Sequence, residues 1–212
     1  MSTESTDIAT PRVATSPSVD GLHRCTWCLA TPDYVQYHDH EWGFPVDSDQ
    51  RLFEKLCLEG FQSGLSWYTI LKKREHFRAA FAEFDFHQVA QFGEADVQRL
   101  LQDAGIVRHR GKIEAAINNA QRAIEMVEQE GSLAAFFWRY GPAKPSAGTD
   151  IQAQTAESQA MSKELKKRGW KFVGPTTMYA LMQAMGLVND HAPGCVTRGE
   201  VEKARKAFKL PQ

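Results

Sequence analysis

Glu59 is the only carboxylate in the stretch Cys57-Leu58-Glu59-Gly60-Phe61-Gln62-Ser63-Gly64-Leu65-Ser66-Trp67-Tyr68. Two glycines, an apolar residue at Leu65 and the adjacent aromatics Trp67 and Tyr68 surround it. A carboxylate beside a broad aromatic face suits a flat ligand that is cationic or rich in hydrogen-bond donors: the ring stacks and the carboxylate accepts. The stretch therefore reads as a base-binding loop. The ordinary alternative is a solvated acid next to a core tryptophan.

Metal chemistry is the second possibility. Cys25 and His38 lie thirteen residues apart, and His191-Ala192-Pro193-Gly194-Cys195 carries a histidine and a cysteine four apart around a Pro-Gly turn. Cys25, His38, His191 and Cys195 together have the Cys2His2 composition of a closed tetrahedral, structural zinc site. Two other readings stay open on spacing alone. Cys25 and Cys28 form a Cys-x-x-Cys that suits a zinc knuckle or a redox pair, and the same side chains would also serve as core histidines and inert thiols.

The elements that must position these groups are helices. Asp47-Ser48-Asp49-Gln50 offers an N-cap, and Leu52, Phe53, Leu56 and Cys57 recur at helical spacing. This helix is expected to end near Glu59-Gly60, and a second pattern of Ile70, Leu71, Phe77 and Phe81 begins past Trp67. A carboxylate at a helix C-terminus is disfavoured by the dipole, so another group should want that charge there. Further apolar periodicities run through Val97, Leu100 and Leu101, through Ile113 to Val127, through Leu133 to Tyr140, and through Val201 to Phe208. No strand alternation is evident, so the fold class is all-α. Gly141 to Ser158 lacks any pattern and reads as a loop.

Near the C-terminus a basic helix, Ser162 to Arg168, precedes Gly169-Trp170-Lys171-Phe172-Val173-Gly174 and then Pro175 to Gly186. Pro175 stands where the first helical position should be. The free N–H groups at that helix start, beside Lys163, Lys166, Lys167 and Arg168, form an anion site of the kind that holds a DNA phosphate without reading sequence. A plain helical hairpin with a basic exterior is the alternative.

The 212 residues carry a formal net charge of −1, so any grip on nucleic acid must come from a local basic patch. No apolar run approaches the ~20 residues of a bilayer span, and no basic-then-apolar leader opens the chain. A cytoplasmic, monomeric protein is expected. Four cysteines then point to thiols or metal ligands. Residues 1–21 read as a disordered tail.

Taken together, Cys25-x-Trp27, Tyr34-x-x-Tyr37-His38-Asp39-x-Glu41-Trp42-Gly43, Leu58-Glu59-Gly60-x-Gln62-x-Gly64-Leu65-Ser66-Trp67, Gly105-Ile106-x-Arg108-His109-Arg110-Gly111-Lys112 and Lys166 to Gly174 through Gly186-Leu187-Val188-Asn189-Asp190-His191 resemble the 3-methyladenine DNA glycosylase I family. The resemblance runs from about Arg24 to Cys195. It implies a helix-hairpin-helix glycosylase of two helical lobes around a cleft. A single catalytic domain would span residues 22–197, with the hairpin module at about 162–186 and a helical tail at 198–212.

By motif position it implies zinc on Cys25, His38, His191 and Cys195, joining the N-terminal segment to the C-terminal one. Glu59 is implied as the principal functional carboxylate. Tyr37 and Trp67 would stack on the damaged base, with Trp27 and Tyr34 completing the pocket. Leu65 and Gln62 would wedge the duplex, while Lys171, Gly174 and Thr176 would meet phosphate. The implied partner is double-stranded DNA with alkylated adenine, and free 3-methyladenine is the product. Cys28, His40, Phe61 and Ser63 depart from the family pattern. Asp190 either assists the reaction, as an aspartate does in related glycosylases, or orients a ligand histidine or caps a turn. A non-catalytic sensor of alkylated DNA and a zinc hydrolase with Cys195 free are the competing classes.

Overall fold

The computed structural model describes residues 14–143 and 152–212. Ordered structure starts earlier than Leu22: β1 (Thr15–Pro17) pairs antiparallel with β2 (His23–Cys25), Thr15 facing Cys25. The all-α expectation is corrected to this extent, as is that of a disordered tail reaching to residue 21. Strands of three residues are too short to show alternation; a turn makes this ribbon. Gly21 takes φ +78°, Ser18 and Leu22 close a backbone bond at 2.9 Å, and Arg24 reaches Asp20 at 2.9 Å and Asp39 at 2.9 Å. The remainder of the tail, residues 1–13, lies outside the described residues.

Helices make up the remainder of the regular structure. After a 3-10 turn at Thr26–Ala30 come α1 (Pro32–His40), α2 (Asp49–Gln62), α3 (Trp67–Leu71), α4 (Arg74–Ala80), α5 (Phe86–Val89), α6 (Glu94–Gln102), α7 (Arg110–Glu130), α8 (Leu133–Trp138), α9 (Ala156–Lys167), α10 (Pro175–Ala184) and α11 (Val196–Ala207). None is long and apolar enough to cross a membrane among the described residues.

Two element boundaries differ from the periodicity. α2 runs three residues beyond Glu59, because Gly60 continues the helix and its bare Cα lets Phe172 approach: a Cβ there would lie 3.4 Å from the Phe172 Cβ. The single helix expected after Trp67 is two, α3 and α4, split at Lys72 and Lys73. The patternless segment also ends sooner, since Thr155 caps α9 and its Oγ1 accepts from the Ser158 N–H. Residues 144–151 of that segment lie outside the described residues.

One large apolar cluster runs through α2 to α10, and Phe61, Phe77, Phe81 and Phe84 pack ring on ring inside it at centroid distances of 4.7 to 6.2 Å. α10 packs on α9 and on α2, which brings the C-terminal hairpin beside the Glu59 helix. Ser162 on α9 donates to the Val173 carbonyl at 2.6 Å, fixing the hairpin between α9 and α10. A second, smaller cluster holds Cys25, Ala192 and Cys195, where the two ends of the chain meet.

Candidate active site

α1, the last turn of α2, α3 and α10 enclose a cavity of about 280 Å³. Tyr34 and Tyr37 come from α1, Glu59 and Gln62 from α2, and Trp67 from the first turn of α3. Trp27, Trp42, Ala180, Gln183 and Asp190 complete the lining. The aromatic walls meet edge-on or tilted: Trp27 and Tyr34 at 4.9 Å between centroids, Trp27 and Trp42 at 5.1 Å, Tyr37 and Trp67 at 5.5 Å. A slot of this size with aromatic walls and a carboxylate suits one flat, planar ligand; pockets for larger ligands start near ~300 Å³.

Glu59 is buried, and its Oε1 lies 2.9 Å from the Lys55 ammonium one helical turn back. This answers the question raised by a carboxylate near a helix end: a buried cation on the same face balances it. Lys55 also donates to the Tyr37 hydroxyl at 3.0 Å and sits 3.0 Å from the Trp67 ring centroid. Burial brings this lysine down to about 8, against the pull of Glu59 in the other direction. Burial likewise holds the Tyr37 phenol well above its ordinary range, so it stays a donor. Sequence reasoning missed Lys55; the available signal was a lysine within the apolar Leu52, Leu56 and Leu58 stretch, four residues before the key acid. Trp42, Gln183 and Ala180 were also missed as lining residues.

Asp190 has its Oδ2 held by Tyr179 at 2.5 Å and by Gln183 at 2.9 Å, while its buried Oδ1 has no hydrogen-bond partner among the described residues. It faces the cavity and makes no contact with His191 that would orient it; Asn189 does that, its Oδ1 lying 3.0 Å from His191 Nδ1.

The loop between α2 and α3 presents Leu65 at its tip, half exposed. Gly64 takes φ +82° there, and Gln62 Nε2 donates to the Leu65 carbonyl at 2.8 Å. From α7 the Lys112 ammonium reaches the carbonyls of Phe61 (2.9 Å) and Ser63 (2.6 Å), taking up acceptors left free where α2 ends. At the hairpin, Gly174 caps α10, Pro175 occupies its first turn, and Lys171 and Thr176 are exposed. Arg168 does not join this basic patch, because Glu164 and Glu130 hold it at 2.8 and 2.6 Å.

Behind Trp27 and Trp42 the end of β2 meets the stretch just before α11. One ligand atom each from Cys25, His38 and Cys195 lie within 4.8 Å of one another, all three buried. His191 stands outside that trio, its ring centroid 4.7 Å from that of His38 and 4.6 Å from that of Trp42. Among the described residues its buried Nε2 has no hydrogen-bond partner, a costly state for a ring nitrogen unless something binds it. Burial, with the neighbouring His38, brings His191 down to about 4 and keeps it neutral, as a metal ligand must be.

The outer contacts fit as well. Asp39 Oδ1 accepts at 2.7 Å from His38 Nδ1, leaving Nε2 to face Cys195 Sγ at 3.5 Å, and the Ala192 N–H donates to Cys25 Sγ at 3.3 Å. These residues fit a zinc ion. Cys28 does not enter the trio: its thiol donates to the Cys25 carbonyl at 3.1 Å. Gly43 is required beside them, since at φ +87° any Cβ would come within 2.8 Å of His191 Cε1.

Comparison with known proteins places the chain in a family. Residues 27–198 match the profile of the family described as Methyladenine glycosylase. DNA-3-methyladenine glycosylase 1 of Escherichia coli (strain K12) is 50% identical over 179 residues, covering 82% of this chain and 96% of that one. A crystal structure of a 3-methyladenine DNA glycosylase I superposes with TM-score 0.77 at 51% identity, over 82% of this chain and 98% of the other. A further structure, of a tyrosine-to-phenylalanine variant of a 3-methyladenine DNA glycosylase I in complex with 3-methyladenine, superposes with TM-score 0.78 at 37% identity over 82% and 97%.

Proposed function

The chain belongs to the methyladenine glycosylase family, and from that membership we propose that it excises 3-methyladenine from alkylated double-stranded DNA, hydrolysing the N-glycosidic bond and leaving an abasic site. The observation that carries this reading is the aromatic slot with Glu59 in its wall, together with the superposition on a relative bound to 3-methyladenine.

Methylation at N3 places positive charge on the adenine and weakens its bond to the sugar, so little acid catalysis is needed. Extruding the nucleotide costs a few kcal/mol. Stacking on Trp67 and Tyr37, with Trp27 and Tyr34 completing the pocket, returns about 1 to 3 kcal/mol per aromatic contact. Glu59 accepts from a donor on the base edge. A base offering an acceptor there would leave a buried carboxylate facing it, and such mismatches are penalised steeply.

Leu65, at the tip of its loop with Gln62 behind it, fills the gap left by the extruded nucleotide. The α10 N-terminus at Gly174 and Thr176, with Lys171 beside it, holds a backbone phosphate, in the manner of helix-hairpin-helix glycosylases. Cys25, His38, His191 and Cys195 would hold zinc, which supplies structural cross-linking between the chain's ends and, with four protein ligands, no open position for water.

The test is release of free base from methylated duplex DNA, resolved by chromatography, for wild type and Glu59→Gln. Wild type should release 3-methyladenine, and the variant should lose far more excision than DNA affinity. Equal losses in both would remove Glu59 from its role. DNA binding without any release by wild type would leave a non-catalytic sensor of alkylated DNA.

A further inference from the structure

Lys55 touches three of the groups assigned to the base without lining the cavity itself. Its ammonium lies 2.9 Å from Glu59 Oε1, 3.0 Å from the Tyr37 hydroxyl oxygen and 3.0 Å from the centroid of Trp67. Those three side chains come from α2, α1 and α3, so one ammonium joins three separate helices. Lys55 borders a small void behind the wall together with Tyr37, Trp67 and the charged Glu41, Glu54 and Arg74, while the same two rings also border the base slot. A buried ion pair is costly to desolvate, and an apolar pair of similar volume would stand there at no greater cost. Its presence there asks for a reason beyond packing.

We propose that Lys55 is a positioning residue for base recognition, resting on the glycosylase reading above: its ammonium sets the Glu59 carboxylate, the Tyr37 hydroxyl and the Trp67 ring in the arrangement that receives the base. Each contact has a separate consequence. The ion pair fixes the Glu59 rotamer and makes the empty slot tolerate a carboxylate. Because the Tyr37 oxygen accepts from Lys55, its own hydrogen remains to be donated into the slot. Because the cation covers one face of Trp67, the ligand must stack on the other, and the indole is held before the ligand arrives. Preorganisation of this kind lowers the ordering cost of binding and acts on excision through Glu59, without Lys55 touching the base.

The experiment is a double-mutant cycle on the full chain: wild type, Lys55→Met, Glu59→Gln and the double variant. Four readouts are taken for each: 3-methyladenine release from methylated duplex, affinity for free 3-methyladenine, affinity for abasic-site duplex, and thermal melting. Lys55→Met should lose about 100-fold in excision and lose free-base affinity, while abasic-site binding changes less than about 3-fold. The double variant should excise no more slowly than the weaker single one, because both substitutions remove the same arrangement.

Multiplying effects in the cycle, or wild-type excision by Lys55→Met, would overturn the proposal. If Lys55→Met does not fold, Lys55→Gln carries the same cycle, since its amide keeps a donor to Glu59 and Tyr37. It should excise between wild type and Glu59→Gln, and again not multiply with Glu59→Gln. Absence of release by wild type would sink the glycosylase reading, whereas active wild type with an equally active Lys55 variant sinks only the role given to Lys55.

Discussion

Asn119, in the middle of α7, closes a two-bond ring with the backbone of Lys171: its Oδ1 accepts from the Lys171 N–H at 2.8 Å and its Nδ2 donates to the Lys171 carbonyl at 2.9 Å. The hairpin that carries Lys171, Phe172 and Gly174 is therefore fixed to the longest helix. Phe172 holds φ +55° there, a conformation that costs a non-glycine residue energy and needs outside support. Asn119→Ala should cost about 1 to 3 kcal/mol and weaken DNA binding, while free 3-methyladenine binding is spared because the base slot does not touch the hairpin. Calorimetric unfolding and a duplex-binding titration check this; an unchanged duplex affinity would detach the hairpin from DNA contact.

Lys112 works in the same way on the loop between α2 and α3. With its ammonium on the carbonyls of Phe61 and Ser63, it satisfies the C-terminal end of α2, where a cation is also favoured by the helix dipole. Lys112→Met leaves those carbonyls buried or wet and should cost about 2 kcal/mol. Amide exchange across residues 62–66 should accelerate, and excision from duplex should fall more than affinity for the free base. Unchanged exchange in that loop would refute the link.

A pH dependence follows from Lys55. Burial sets it at about 8, and the groups facing it are Glu59 on its own helix, Tyr37 and Glu41 from the α1 segment, and Arg74 from α4. As pH rises through about 8 the ammonium is lost, so excision by wild type should decline there and Lys55→Met should lack this limb. Stability moves the other way. Between about 8 and the ordinary 10.5 the unfolded chain keeps a proton that the folded chain has released, so this lysine's contribution to stability rises with pH. Excision falling while this contribution to stability rises separates the effect from alkaline unfolding.

Removal of zinc should loosen the chain's ends and leave the chemistry alone. Purified protein is expected to carry one equivalent, lost in Cys195→Ala. Chelation should lower the melting temperature by about 5–15 °C and accelerate amide exchange at residues 23–28 and 189–196. Below the melting temperature the stripped protein should still release 3-methyladenine. Loss of release without unfolding would favour a catalytic metal with an open position.

Much of the candidate site was legible in the chain itself, because several of the groups assigned to the base lie close together in sequence. Glu59, Gly64, Leu65 and Trp67 lie within nine consecutive residues, so any fold that closes that loop keeps them together. The Cys-His and His-Cys pairs lie far apart in the chain, and their composition raised a metal as one reading among others before any contact was seen. Helix periodicity likewise located α2 and α7, since an amphipathic stripe is written in the spacing of apolar residues, and Pro175 marked the start of α10.

Tertiary structure alone decided the rest. Lys55 and Glu59 four apart on a helix are written like any solvated ion pair. What makes theirs a buried pair is Tyr37 and Trp67 packed over it, from two other helices, and no local pattern encodes what covers a residue. The ribbon of Thr15–Pro17 on His23–Cys25 depends on a turn held by Asp20, Arg24 and Asp39, the last of them fifteen residues from Arg24. The trio of Cys25, His38 and Cys195, with His191's free nitrogen beside it, exists because the chain's two ends meet behind Trp27 and Trp42. Residue types and local spacing are properties of the chain; burial, and therefore the meaning of a charge, is a property of its neighbours in space.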